Sequence, residues 1–430
     1  MSQLSAPPSP GRLARALERA PSLLRENRDF RRFWTGQTVS LFGDQITQLA
    51  VPLVAVLVLD AGPAQMGYLT AANLVPYLLF SLHAGAWVDR RGRRRQVMIA
   101  ADFGRGLLVA TVPIAYALGE LTIAQLYAVA FLTGALSVLF FVSQSTLFVS
   151  LVQREEYMEA NSLLHGSRAF SYTGGPPVGG LLVQLLSAPY ALAADAVSFL
   201  ISVIFLRRID PVEPPSSTDE RGRVVAGARF ILRSPVVRAS LWATATINFF
   251  NFAFIALFIL YATRYLHVGA GLLGAVLGAG AVGGLIGSML TPRLGRRIGV
   301  GPAFFVGCIL FPAPIVLVPL AGGPKPVVLA MLFLAEFGSG LGVMVLDISI
   351  GSIFAALIPH QLRARVSGAY LVVNNGIRPL GSLFGGALGS TIGVRNTLWI
   401  VTVGAVAGFL WLLPSPVPRL KELPEPDSTD

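Results

Sequence analysis

Seven ionisable side chains stand inside long apolar runs: Asp44, Asp102, Arg105, Arg168, Glu336, Asp347 and Arg378. A charge at mid-bilayer costs roughly 2.5–3.5 kcal/mol on insertion scales, so each must be paired, turned to water or put to use. Isolated carboxylates in such surroundings can take up and release protons or hold a cation. Asp44 follows Ser40-Leu41-Phe42-Gly43, about 18 Å of helical rise beyond Arg32. It is read as a proton or substrate-cation site, the alternatives being a carboxylate permanently paired with an arginine or a packing role beside Gly43. Asp102 and Arg105 are three residues apart, share a helix face and are expected to neutralise each other. Glu336 and Asp347 are eleven residues apart, about three turns, and so project to nearly one side. One of them is a candidate second protonatable acid, unless both serve packing within their own half. Arg168 and Arg378 could each counter a buried acid or bind an anionic group. Asp195 lies nearer a span end, where snorkelling to water competes with a functional role. Asn73, Asn248, Asn251, Asn374 and Asn375 either line a path or hydrogen-bond between helices.

Other chemistries lack their residues. No H-E-x-x-H cluster or nucleophile with a base at helical spacing is present, which leaves neither a metal site nor a catalytic residue to name. Lys325 follows Gly322-Gly323-Pro324 but precedes Pro326, so it does not close a phosphate-binding loop, and no cofactor is expected. The single cysteine, Cys308, has no disulfide partner and reads as a small packing residue.

The elements that position these groups must cross a bilayer. The chain of 430 residues is 54% hydrophobic and 13% charged, with a mean hydropathy of +0.67, which is far more apolar than one soluble core can use. Apolar stretches of about 20 residues recur, the length that spans ~30 Å of hydrocarbon as a helix. They lack the ~10-residue alternation of barrel strands and carry Gly and Pro throughout, so the expected fold is all-α, with about twelve spans. Polar breaks separate the spans, and alternate breaks hold the arginines: Arg90 to Arg95, Arg207 to Arg233, Arg293 to Arg297, and Arg363 with Arg365. Basic loops stay in the cytoplasm, so both termini are expected there, in a cell inner membrane. The net charge of +11 thus follows from topology, and nucleic acid is not an expected partner. The first span is too long for a cleaved signal peptide.

The longest break, polar and Pro-rich from Asp210 to Asp219, divides the chain. The expected organisation is a cytoplasmic segment 1–32, a six-helix bundle 33–206, a cytoplasmic loop 207–235, a second six-helix bundle 236–414 and a tail 415–430. A repeat supports the division: Gly175, Gly179 and Gly180 in the fifth span correspond to Gly381, Gly385 and Gly386 in the eleventh, all 206 residues apart. Parallel six-helix repeats place a substrate path between them near mid-membrane.

The loop after the second span reads Gly85-Ala86-Trp87-Val88-Asp89-Arg90-Arg91-Gly92-Arg93-Arg94-Arg95. It resembles the G-x3-D-R-x-G-R-R signature of the major facilitator superfamily. Gly85 is expected to let another helix come close and Gly92 to turn the loop, while Asp89 could meet the positive end of a helix starting near Arg365. The resemblance implies that Asp89, Arg90, Arg93 and Arg94 latch the two halves on the cytoplasmic side. Gly174-Gly175-Pro176-Pro177-Val178-Gly179-Gly180 is similar to the G-P-x-x-G-G element of the superfamily's antiporters, with Ser171 where an earlier glycine stands in the family. The N-terminal Asn27-Arg28-Asp29-Phe30-Arg31-Arg32-Phe33-Trp34 stretch looks like the branch of macrolide efflux pumps and siderophore exporters. These resemblances imply proton-coupled export of an amphipathic small molecule such as a drug, antibiotic or siderophore, by a monomer whose partners are the substrate, protons and the lipid bilayer. Uptake or lipid movement on the same fold is the alternative, followed by a membrane signalling protein that moves no solute.

Overall fold

The computed structural model describes residues 21–211 and 229–421. The expected segments 1–32 and 415–430 and the central loop therefore fall partly outside the described residues. Twelve helical spans form the expected two bundles: α1 (Arg28–Leu57), α2 (Pro63–Arg91), α3 (Arg94–Ala117), α4 (Ile123–Val149), α5 (Tyr157–Leu186) and α6 (Ala188–Arg207), then α7 (Pro235–Arg264), α8 (Ala270–Ile298), α9 (Val300–Leu320), α10 (Lys325–Leu357), α11 (His360–Ile392) and α12 (Val394–Leu412). Local chemistry sets several ends. The Asn27 side chain accepts the Phe30 amide at 2.8 Å and starts α1. Gly92 adopts the left-handed conformation at φ +59° and stops α2, which is the tight turn expected of it. The eleventh helix starts at His360, one turn before the expected Arg365.

Among the described residues, nine spans are long and apolar enough to cross a membrane by composition alone. Those falling short are α2, α5 and α11, three of the four helices through which the bundles meet. A helix facing a partner bundle and a polar path needs less apolar surface than one facing lipid, which accounts for the shortfall.

The two copies of the glycine element make equivalent contacts. A β-carbon on Gly179 would lie 3.2 Å from Ile46 Cα of α1, and one on Gly385 would lie 2.8 Å from Ala253 Cα of α7. Gly175 and Gly381 face the same two helices, at Gln45 and Phe249. The last glycine of each copy crosses between halves instead: a β-carbon on Gly180 would lie 3.1 Å from Gly274 Cα of α8, and one on Gly386 would lie 2.9 Å from Gly67 Cα of α2. Each fifth helix therefore packs on the first helix of its own bundle and the second helix of the other. Pro176 and Pro177 sit inside α5, and both meet glycines of α8, Gly274 and Gly278.

All of these inter-bundle contacts lie toward the end opposite the arginine-rich loops. There a single apolar core runs through both bundles, joining Leu49, Leu53 and Leu192 with Leu257, Leu273 and Leu332. At the arginine-rich end the cores separate, one around Phe30, Phe33 and Leu206, others around Phe304 and Ile353 or Val237 and Val366. A β-carbon on Gly85, Gly166, Gly295 or Gly368, one in each of α2, α5, α8 and α11, would meet nothing within 4 Å. The bundles are closed at one end and parted at the other. The close approach expected at Gly85 is absent for that reason, and the Asp89 side chain lies outside the described residues.

The glycine contacts give a prediction. Gly180→Leu or Gly386→Leu overpacks a backbone contact, which costs about 1–3 kcal/mol, whereas Gly85→Leu meets open space and should be tolerated. The buried lone Cys308 supplies the readout, because a thiol-reactive dye labels it only on unfolding. Equal melting temperatures for all three variants in detergent would contradict the assigned contacts.

Candidate functional site

The predicted charges gather into two places and a periphery. In the first bundle Arg105 of α3 is buried at the centre of a cluster. Its Nη2 donates to the Asp102 carboxylate one turn back, the pairing that their spacing implied. Nη1 lies 3.3 Å from Ser137 Oγ of α4 and 3.8 Å from Asp44 Oδ1 of α1. The guanidinium is stacked between Phe140 and Phe199, 4.5 and 4.4 Å from the ring centroids, an arrangement that suits a planar, weakly hydrated cation.

Asp195 of α6 completes the cluster, and its burial excludes snorkelling, one of its two readings from the sequence. It is fully buried, and its carboxylate accepts hydrogen bonds from Ser198 Oγ at 2.9 Å and from Thr47 Oγ1 of α1. Gly43 makes room for it: a β-carbon there would collide with the Asp195 carboxylate and Ser198. Asp195 faces the neighbouring α1 rather than lipid, and a short aspartate so placed cannot reach the interface. Thr47 and Ser198 were missed as partners, although Asp195-x-x-Ser198 carries the three-residue spacing that shares a helix face.

Three carboxylates thus surround one guanidinium in a low-dielectric interior. Full ionisation would leave two negative charges without a cation in the cluster, an arrangement several kcal/mol uphill per ion. Asp102 and Asp195 are sealed at 0% exposure, whereas the Asp44 side chain is 28% exposed. Asp44 is the one of the three whose side chain has exposed surface.

The second place is a cavity of about 920 Å³ between the bundles, bounded by α1, α5, α7, α8, α9 and α10. Gln45, Gln48, Phe170, Asn251, Phe258 and Glu336 are among its walls, and Pro176 contributes from the α5 element. The polar string Asp44-Gln45-x-Thr47-Gln48 in an otherwise apolar span was the available signal for the cavity's glutamines. α1 therefore serves both places: Asp44 turns toward α3, and the next residue, Gln45, turns toward the cavity and α5.

Glu336 and Asp347 share a helix side but not an environment. Glu336 lines the cavity, while Asp347, three turns nearer the arginine-rich end, is exposed where the bundles part. Arg378 is Asp347's electrostatic neighbour, without a direct ion pair among the described residues. Arg378 instead donates to Asn248 Oδ1 at 3.2 Å and lies over the Phe252 ring at 5.0 Å, and Asn248 in turn donates to Asn374 at 3.1 Å. Those asparagines bond between helices, whereas Asn251 faces the cavity. Arg168 is exposed beside the cavity-lining Ala169 and makes no ion pair among the described residues, so it does not counter a buried acid here.

The Major Facilitator Superfamily matches residues 33–378, most of the chain. The chain belongs to this superfamily. Among curated relatives, the multidrug efflux pump Tap of Mycolicibacterium fortuitum is 26% identical over 399 residues, covering 89% of this chain and 93% of that protein. The MFS-type transporter YfiS of Bacillus subtilis is 24% identical over 86% of this chain and 89% of its own length. Two solved superfamily structures share the fold. A bacterial homologue of the iron transporter ferroportin in an inward-facing state has a TM-score of 0.73 at 19% identity, covering 92% of this chain and 99% of that one. The nucleoside transporter NupG has a TM-score of 0.71 at 12% identity, covering 89% and 99%. The chain is accordingly a multi-pass membrane transporter of the superfamily, with twelve helices in two related bundles.

For this superfamily member the charge cluster makes a second prediction. Arg105→Gln leaves three carboxylates without a cation, and breaking such a pair costs about 3–5 kcal/mol. Removing a carboxylate as well, in Arg105→Gln with Asp102→Asn, should recover at least part of that loss. Cys308 labelling during thermal unfolding checks the order, and a double variant less stable than the single would refute the pairing.

Proposed function

We propose that this chain is a proton-driven exporter of amphipathic small molecules, with Asp44 as the exchanging acid and the inter-bundle cavity as the cargo site. The observation that carries the reading is that Asp44, the accessible member of an over-acidic cluster, sits on the same helix as the cavity's Gln45 and Gln48. The arginine-rich end is the cytoplasmic one by the charge bias of its loops, with both termini on that side of a cell inner membrane. The cavity then takes cargo from the cytoplasm or the inner leaflet. Its aromatic walls suit a drug, antibiotic or siderophore with a hydrophobic body, and the name of the Tap relatives, multidrug efflux pump, points the same way.

The cycle follows from the cluster. Ionised Asp44 is attracted by Arg105 and ties α1 to α3. A proton on Asp44 cancels that attraction and leaves Arg105 to Asp102, which frees α1 to shift against the cavity. The bundles 33–206 and 236–414 then rock about their shared core, tethered by the 207–235 loop, and expose the cavity to the other side. In the reversed state Asp89, Arg90, Arg93 and Arg94 latch the cytoplasmic ends. The Gly175-Pro176-Gly179-Gly180 element of α5 is the sliding surface. The whole path lies within one chain, so a monomer suffices.

The test is transport in liposomes under an imposed pH gradient, with a panel of fluorescent amphipaths. Native protein should move cargo against the proton flow, and Asp44→Asn should lose at least tenfold of that rate. Undiminished transport by Asp44→Asn would remove this residue from the coupling path. Cargo and protons moving in the same direction would replace export by uptake.

A further inference from the structure

Among the described intramembrane acids, Glu336 differs in having neither a nearby cation nor a hydroxyl to hold it. Asp44 and Asp102 share Arg105, Asp195 is held by two hydroxyls, and Asp347 has Arg378 nearby. Among the described residues no charged group or hydrogen-bond donor reaches the Glu336 carboxylate. It is also the only formally charged side chain among the cavity's lining residues, which include no lysine or arginine.

The surrounding backbone is built to hold this carboxylate in place and leave it uncovered. A β-carbon on Gly280 of α8 would come within 3.3 Å of Glu336 Oε2, and one on Gly340 would collide with the Gly280 carbonyl. α8 and α10 therefore touch backbone to backbone at Glu336 and one turn beyond it. Such contact fixes the helix and leaves space at the carboxylate where any side chain at 280 would intrude. The walls of the same cavity include Phe170, Phe254, Phe258 and Met344, surfaces that attract an organic cation by ring quadrupole and polarisable sulfur. The volume, about 920 Å³, accommodates a drug-sized molecule.

We infer that Glu336 is the counter-charge for a lipophilic organic cation, whose ammonium or phosphonium centre pairs with the carboxylate while its apolar body lies on the cavity's aromatic walls. This deepens the export reading by naming the cargo's charge, and it separates two roles for buried acids. Asp44, already held by an arginine, exchanges protons; Glu336, without one, recognises cargo. An anionic amphipath of the same shape is rejected, because it would place like charges together in a low-dielectric cavity.

Tetraphenylphosphonium and tetraphenylborate have nearly the same shape and opposite charge, and they make the test. Binding of each to purified full-length protein in phosphatidylcholine nanodiscs is measured with empty nanodiscs subtracted. Glu336→Gln should weaken the phosphonium at least tenfold and leave the borate unchanged or tighter, with Glu336→Asp keeping part of the phosphonium affinity. In the native protein alone, the phosphonium should raise the melting temperature and the borate should not, which decides the matter even if the variants fold poorly. Equal loss of both ligands in Glu336→Gln, undiminished phosphonium binding, or native protein stabilised as well by borate would each overturn the inference. Binding is read without transport, so a protein that binds the phosphonium but exports nothing refutes the export reading and leaves this one standing.

Discussion

Backbone contact between helices at glycine is the constraint on which the rest of this structure depends. In hydrocarbon there is no hydrophobic gain from joining two apolar helices, so association must come from close packing. Gly67 with Gly386 and Gly180 with Gly274 supply that packing across the bundles, and both pairs lie toward one end. The shared apolar core ends where those contacts end. An interface concentrated at one end acts as a pivot, and the space left beneath it is the cavity. The same chemistry that joins the bundles thus decides where a molecule can enter.

Charge imposes the second constraint, and it acts unevenly on the two bundles. The first holds its charges in a dense cluster around Arg105, stacked between two phenylalanines. The second spreads its charges out: Arg378 hydrogen-bonds to Asn248, Asp347 is exposed, and Glu336 faces the cavity. The repeat therefore preserved glycine positions while the ionisable groups diverged. Packing demands recur in both copies because both fifth helices meet equivalent neighbours. Chemistry need be supplied only once, and it sits mainly in one copy.

The architecture was legible in the residues because its determinants are local or periodic. Span length, alternation of basic loops and the 206-residue glycine repeat each carry a direct physical meaning, and the twelve helices and paired contacts follow from them. The Asp102–Arg105 pair was legible for the same reason, being one turn apart on one helix. The long-range partnerships were not. Nothing local joins Asp44 to Arg105 across 61 positions, or Thr47 to Asp195 across 148, because rotation of one helix against another decides them. The two readings of Asp195, snorkelling or function, could not be separated on these grounds, because its facing partner, α1, determines its burial. Gly85 was misjudged for a different reason, since a close approach that depends on the arginine-rich ends meeting is absent while they are parted.

The position of α1 ties these constraints together. One face carries Gly43 and Thr47 against Asp195, another carries Asp44 toward Arg105, and Gln45 and Gln48 turn to the cavity. Gln45 and Ile46 also receive the glycines of α5, which itself contacts α8 of the other bundle. A change of charge at Asp44 therefore acts on a helix that already touches the cavity and, through α5, the pivot between bundles. No long wire of residues is needed for coupling in this arrangement. Asp44 and the cavity's Gln45 and Gln48 are adjacent on one helix, so a rotation or shift of α1 by a fraction of a turn would alter both at once. Glu336 stands on the opposite wall of that cavity, on α10, held by α8. The cavity thus has one wall on the helix that carries Asp44 and another on the helix that carries Glu336.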